Sequence, residues 1–271
     1  MAYIFLFGSL ILGLIIGSFL NCLVWRLYKN KSLWGRSYCP KCLKKIHWYD
    51  NIPVLSWLAL KGSCRHCRQA ISVQYPLVEF ITGILFVLVF IRIYGHGLAY
   101  SSLDFYQLIM QGGLLGNLVR AWLIVAVMIM VFIYDARWLM ISLPAIIWSG
   151  VLILIFDLAL GYGFVSILLA VLIGAAFFGL QFLLTKGRGI GEGDIWLGGL
   201  MGLMFPDWRL LLTAILSSYI IGAITGLVMM FWAKKGLKTK VPLGVFLALG
   251  AIITLFFGSE VIRWYWGLLS A

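Results

Sequence analysis

The stretch Gln181-Phe-Leu-Leu-Thr-Lys-Gly-Arg-Gly-Ile-Gly-Glu-Gly-Asp194-Ile-Trp-Leu197 joins an apolar run ending at Leu184 to another opening at Ile195, with four glycines between them. Glycine at alternate positions denies the backbone a stable helix and lets another backbone come close, so the stretch reads as a break between two apolar helices. Asp194 follows the break directly. A carboxylate at the edge of a hydrocarbon layer is costly, and an ionisable group there marks a functional site whose partner should be named. The partner offered by the sequence is Asp135.

Working outward, the 271 residues are 63% hydrophobic and 11% charged, with a mean hydropathy of +1.05. Such a composition exceeds that of a soluble domain and, with several apolar runs near 20 residues, identifies an all-α polytopic membrane protein whose first partner is the lipid bilayer. Residues 1–25 lack a basic leading segment and a small-residue cleavage site, so they read as a retained first span and not as a removed signal peptide. About eight spans are predicted, at roughly 3–25, 76–94, 118–136, 140–158, 163–184, 194–205, 208–233 and 242–267, with both termini outward. The sixth is too short for a full crossing and is either tilted together with Pro206 or part of a broken element.

The net charge of +12 is distributed as a topology signal. Ten of the 21 Lys and Arg residues fall in 26–75, and others in the 136–140 turn, the 185–193 loop and 234–240, whereas loop 93–119 has none. The positive-inside rule puts the basic segments in the cytoplasm, and nucleic acid is not an expected partner. Gly13 and Gly17 are spaced for close helix packing. Pro76 and Glu79 are expected in the first turn of the second span, where proline fits and an acid complements the helix dipole.

Cys39-Pro-Lys-Cys42 and Cys64-Arg-His-Cys67 lie in the one long polar segment and enclose 21 residues. The spacing suits four thiolates on one tetrahedral zinc, and a cytoplasmic insert of this size gains folding free energy from a metal. Four sulfurs leave no open coordination position, so the ion is structural. Redox pairing of the cysteines is the alternative reading, and His47 and His66 read as solvated or packed residues.

The chain has nine acidic residues. Asp104, Asp157, Asp207 and Glu260 fall at outward loops or span ends and Asp50 in the insert, leaving Asp135, Asp194, Glu192 and Glu79 near the inner face. Two carboxylates held close cannot both ionise, which yields an acid and a base from identical side chains. Such a pair can take a proton from water while protonating a peptide carbonyl. The competing reading pairs Asp135 with Arg137 or Lys186 and leaves Asp194 as a helix cap. Serine and cysteine mechanisms lack an intramembrane histidine, since His47 and His66 lie in the insert and His96 in an outer loop.

Several ordered motifs then converge. They are Gly17-Ser18-Phe19-Leu20-Asn21 with Arg26, the two Cys pairs, Trp48-Tyr49-Asp50-Asn51-Ile52-Pro53, Tyr75-Pro76-Leu77-Val78-Glu79, Gly191-Glu-Gly193-Asp194 and Pro242-Leu-Gly244-Val. Together they resemble the type IV prepilin peptidases, bifunctional leader peptidase and N-methyltransferase enzymes of the GxGD group of intramembrane aspartyl proteases. The resemblance implies catalytic Asp135 and Asp194, zinc on Cys39, Cys42, Cys64 and Cys67, and substrate positioning by Gly191, Gly193 and Glu79. It implies residues 26–75 as a cytoplasmic zinc-binding, methyltransferase-associated domain and 76–271 as the peptidase domain, in a bacterial inner membrane. The implied substrate is a prepilin or pseudopilin cut after a glycine that ends a basic leader, with S-adenosylmethionine methylating the new N-terminus. Two positions depart from the pattern: Ser142-Leu143 stands where Pro-Asp or Pro-Asn is usual, and Trp196 where lysine is common. A proton-coupled carrier using the two aspartates, or a lapsed prepilin-binding scaffold, are the alternative functions.

Overall fold

The computed structural model describes residues 2–95, 112–232 and 241–269; His96, Asp104 and the basic stretch 234–240 lie outside them. Apart from two isolated bridges in the polar insert, the described residues form helices, turns and loops. In chain order the helices are α1 (Ala2–Tyr28), α2 (Leu55–Ala59), α3 (Gln74–Tyr94), α4 (Gly112–Trp138), α5 (Leu143–Ala159), α6 (Phe164–Thr185), α7 (Glu192–Met204), α8 (Trp208–Trp232) and α9 (Leu243–Leu269). All eight predicted apolar segments are helical. Among the described residues, six helices are long and apolar enough to cross a membrane: α1, α3, α4, α6, α8 and α9. Helix α5 has 17 residues and α7 has 13; at about 1.5 Å per residue, α7 reaches only about 20 Å of the roughly 30 Å hydrocarbon layer. Helix α5 starts later than predicted because Pro144 fixes its first turn.

The chain forms two compact units, Met1–Met130 and Val131–Ala271, divided within α4. In the first, α1 and α3 pack backbone to backbone. A Cβ at Gly13 would lie 2.7 Å from the Gly83 Cα, and one at Gly17 would lie 2.7 Å from the Glu79 Cα, so the small-residue spacing is used for contact. The Trp122 indole N–H donates to the Phe86 carbonyl at 2.9 Å, and the two rings stack with centroids 5.2 Å apart, which fixes the first part of α4 on α3. Helix α3 begins at Gln74, with Pro76 in its first turn as predicted, but Glu79 falls one turn further in and is buried. It therefore does not serve the helix dipole at the first turn.

The insert between α1 and α3 repeats one local pattern twice. The Leu43 N–H donates to the Cys39 carbonyl and the Cys39 N–H to the Lys44 carbonyl; likewise Arg68 N–H to Cys64 O, and Cys64 N–H to Gln69 O. The bridges Tyr38–Lys45 and Ser63–Ala70 close both turns, and Leu43 and Arg68 both take positive φ, at 60° and 58°.

In the second unit α6 and α7 cross where Gly174 meets Gly198 and Ala170 meets Gly202. A Cβ on either glycine of the first pair would collide with the other's carbonyl group. The Ser166 hydroxyl donates to the Pro206 carbonyl at 2.7 Å, holding the chain where α7 has ended. Helices α8 and α9 pack through Gly250, against Ser218 and the Ala214 carbonyl.

Candidate active site and metal centre

Asp135 lies in the last turn of α4 and is 5% exposed. Its Oδ2 accepts the Val245 N–H at 3.2 Å, from the first turn of α9. A Cβ at Gly244 would stand 2.9 Å from the same oxygen. The start of α9 thus presents unpaired backbone donors to a carboxylate, an arrangement helix N-termini favour. The bond spans 110 residues of sequence.

Asp194 sits inside the first turn of α7 and is 8% exposed. Its Oδ2 accepts the Gly191 N–H at 2.9 Å, so the N3 carboxylate reaches back to the N-cap N–H of its own helix. The glycine stretch was expected to withhold helix, yet α7 starts at Glu192; the capping carboxylate at Asp194 and the favourable glycine at the N-cap outweigh the cost of Gly193. Gly193 has a spatial reason as well, since a Cβ there would come 2.9 Å from the Ile141 Cβ.

Both aspartates lie in the second unit, near enough for their charges to act on each other. Neither forms an ion pair with Arg137, Lys186 or another cation among the described residues. The helix-cap half of the competing reading is therefore correct for Asp194, and the ion-pair half has no counterpart. Asp135 meets the backbone N–H groups of Val245 and Gly244, and Asp194 that of Gly191. Asp194 also acts electrostatically on Tyr219, whose hydroxyl donates to the Gln181 Oε1 at 2.8 Å. Tyr219 and Gln181 escaped the sequence reading. Their only signal was polar character within otherwise apolar α8 and α6.

Gly191 and Gly193 lie beside Asp194, whereas Glu79 belongs to the first unit. Its Oε2 accepts the Val54 N–H at 2.7 Å, tying the insert to α3.

The ligand atoms of Cys39, Cys42, Cys64 and Cys67 all lie within 4.8 Å of one another, and the Cys39 and Cys67 sulfurs are 3.9 Å apart. Four thiolates at about 2.3 Å from a tetrahedral zinc would be separated by about 3.8 Å, so the cluster fits the ion. The twin turns explain why: each pair of sulfurs is presented by its own hydrogen-bonded loop. His47 stacks on Tyr49 with centroids 5.1 Å apart and packs near His66, and neither histidine joins the sulfur cluster. Arg65 grips Asp50 through Nε and Nη2, with contacts of 2.6 to 3.1 Å, linking the second knuckle to the 3-10 turn Trp48–Asn51. That guanidinium holds the Asp50 carboxyl below its usual range.

Two family models match the chain: the Bacterial Peptidase A24 N-terminal domain over residues 11–93, and the Type IV leader peptidase family over residues 122–227. The first match contains the cysteine cluster and Glu79, and the second both aspartates. Among curated proteins, a prepilin leader peptidase/N-methyltransferase of Aeromonas salmonicida is 33% identical over 238 residues, covering 85% of this chain and 74% of its own. Its counterpart in Aeromonas hydrophila is 30% identical, covering 93% and 91% respectively, and that of Pseudomonas aeruginosa is 29% identical, covering 96% and 93%. Among solved structures there is no significant match. With identity at this level running through both matched regions and nearly the whole chain, the protein is a member of the type IV leader peptidase family.

Proposed function

We propose that this chain is an aspartic endopeptidase of the bacterial inner membrane that removes the leader of a type IV prepilin or pseudopilin and methylates the new N-terminus. The observation that carries the peptidase half is the nearness of two buried aspartates that form no ion pair among the described residues. One carboxylate takes a proton from water as the oxygen attacks the scissile carbonyl, and the other protonates the carbonyl oxygen and then the departing amine. The backbone donors at Val245, Gly244 and Gly191 hold the two carboxylates in place. Gly191 and Gly193 leave room for an extended peptide beside Asp194. Zinc on the four cysteines holds the insert in shape and takes no part in bond breaking. S-adenosylmethionine supplies the methyl group, with residues 26–75 associated with that step and the helices of 76–271 with proteolysis. The basic segments face the cytoplasm, where the leader lies.

The test is the mass of prepilin after incubation with the purified protein. The expected product lacks its leader and, when the methyl donor is present, gains one methyl group at its N-terminus. Prepilin left intact by a protein that moves protons across liposomes would establish the carrier reading instead.

A further inference from the structure

At the insert end of the first unit lies a cavity of about 260 Å³ lined by Asn21, Cys22, Lys44, Lys45, Trp57 and Glu79, among others. Its volume is just below the usual range of small-molecule sites, and its lining combines the aromatic Trp25, Trp57 and Tyr75 with many polar and charged side chains. Its charged side chains identify what it would take. Arg26, 6% exposed, directs its guanidinium to the carbonyls of Ser32, Leu33, Gly35 and Arg36, so it shapes the wall. Asp50 is occupied by Arg65. Glu79 differs: it is 7% exposed, it accepts from the Val54 N–H and interacts with Ser18, and among the described residues it forms no ion pair. A buried carboxylate without a counter-charge is costly, so the site is complementary to a cationic ligand. At the rim, Lys44 and Lys45 carry ammonium groups in no ion pair among the described residues, and these suit a carboxylate.

Resting on the methyl-transfer reading above, we propose that this cavity is the methyl-transfer site, with the donor's amino-acid carboxylate at the lysine rim and Glu79 facing the α-ammonium of the leaderless pilin. Glu79 takes one proton from that ammonium. The freed nitrogen lone pair forms the new N–C bond as the donor's S–C bond breaks, and the bonding pair returns to sulfur, leaving a neutral thioether. The methyl group moves, one proton is released, and no electrons are gained or lost.

Cys22 supplies a readout independent of activity, because it lines the cavity and is not one of the four clustered cysteines. In the full-length protein, S-adenosylhomocysteine should slow alkylation of Cys22 by a maleimide, mapped by peptide mass. E79Q should retain that protection and methylate a leaderless pilin N-terminal peptide about 10²-fold more slowly or worse, the usual scale for loss of a proton acceptor. Wild-type protein that methylates the peptide while S-adenosylhomocysteine leaves Cys22 equally reactive would overturn the cavity assignment and spare the wider reading. E79Q that methylates at the wild-type rate would remove Glu79 from the step. A wild-type protein unable to methylate the peptide would overturn the methyl-transfer reading and this assignment with it.

Discussion

Gly244 leaves the Asp135 carboxylate the space it occupies: a Cβ would stand 2.9 Å from Oδ2, and the neighbouring Val245 N–H is that oxygen's donor. G244A should therefore displace the carboxylate by a few tenths of an ångström to an ångström and lower leader removal about 10²-fold in a protein that still folds. Cleavage at the wild-type rate by G244A would show that the start of α9 does not position Asp135. In the insert, Arg65 lowers the Asp50 carboxyl, so the pair's stabilisation is fully present above the unfolded carboxylate pKa of about 3.9 and fades as pH falls through the depressed folded value. The stability difference between wild type and D50N, followed by proteolysis of the insert, should be largest near neutrality and shrink at strongly acid pH. A difference that does not change with pH would assign the effect to packing. Asp50 was legible only as a residue of the insert, because its partner is set by the fold of the two knuckles.

The α6–α7 crossing shows what a helix pair demands of its sequence. Gly174 and Gly198 meet with no side chain between them, so G198A would drive a methyl group into the Phe178 ring and the Gly174 backbone. A cost of about 1–3 kcal/mol or more is expected, read as a lower melting temperature with reduced yield of folded protein. An unchanged melting temperature would mean that the helices separate easily. The eight apolar helices were legible because each carries a long hydrophobic run; the beginnings of α3 and α7 were not. The Gln74 N–H donates to the Ser72 hydroxyl at 3.2 Å where α3 begins, and the Gly191 N–H to Asp194 where α7 begins, local bonds that composition does not announce. The clustering of the four cysteines was legible from spacing alone, since two CxxC pairs leave few other arrangements. Removing zinc with a chelator should expose residues 37–72 to protease, and retention of resistance there would show that the insert folds without metal.

Over the whole molecule, chain length separates what the sequence could announce from what it could not. Asp135 and Asp194 could be singled out because acids are few in so apolar a chain and their surrounding motifs resemble a known family. The hold of α9 on Asp135, 110 residues away, and the Tyr219–Gln181 bond beside Asp194 depend on packing that no local pattern records. Topology is open to direct labelling: a cysteine placed at Lys61 should react with an impermeant reagent only from the cytoplasmic side, and reaction from the opposite side would invert the orientation. The convergence of the two aspartates is tested most directly by comparing single-turnover prepilin cleavage in D135N, D194N and the double variant. Residues that act as one unit are strongly non-additive, so all three variants should fall to the same residual rate, about 10²-fold or more below wild type. Either single variant cleaving near the wild-type rate, or a double variant far slower than both singles, would contradict a shared catalytic pair.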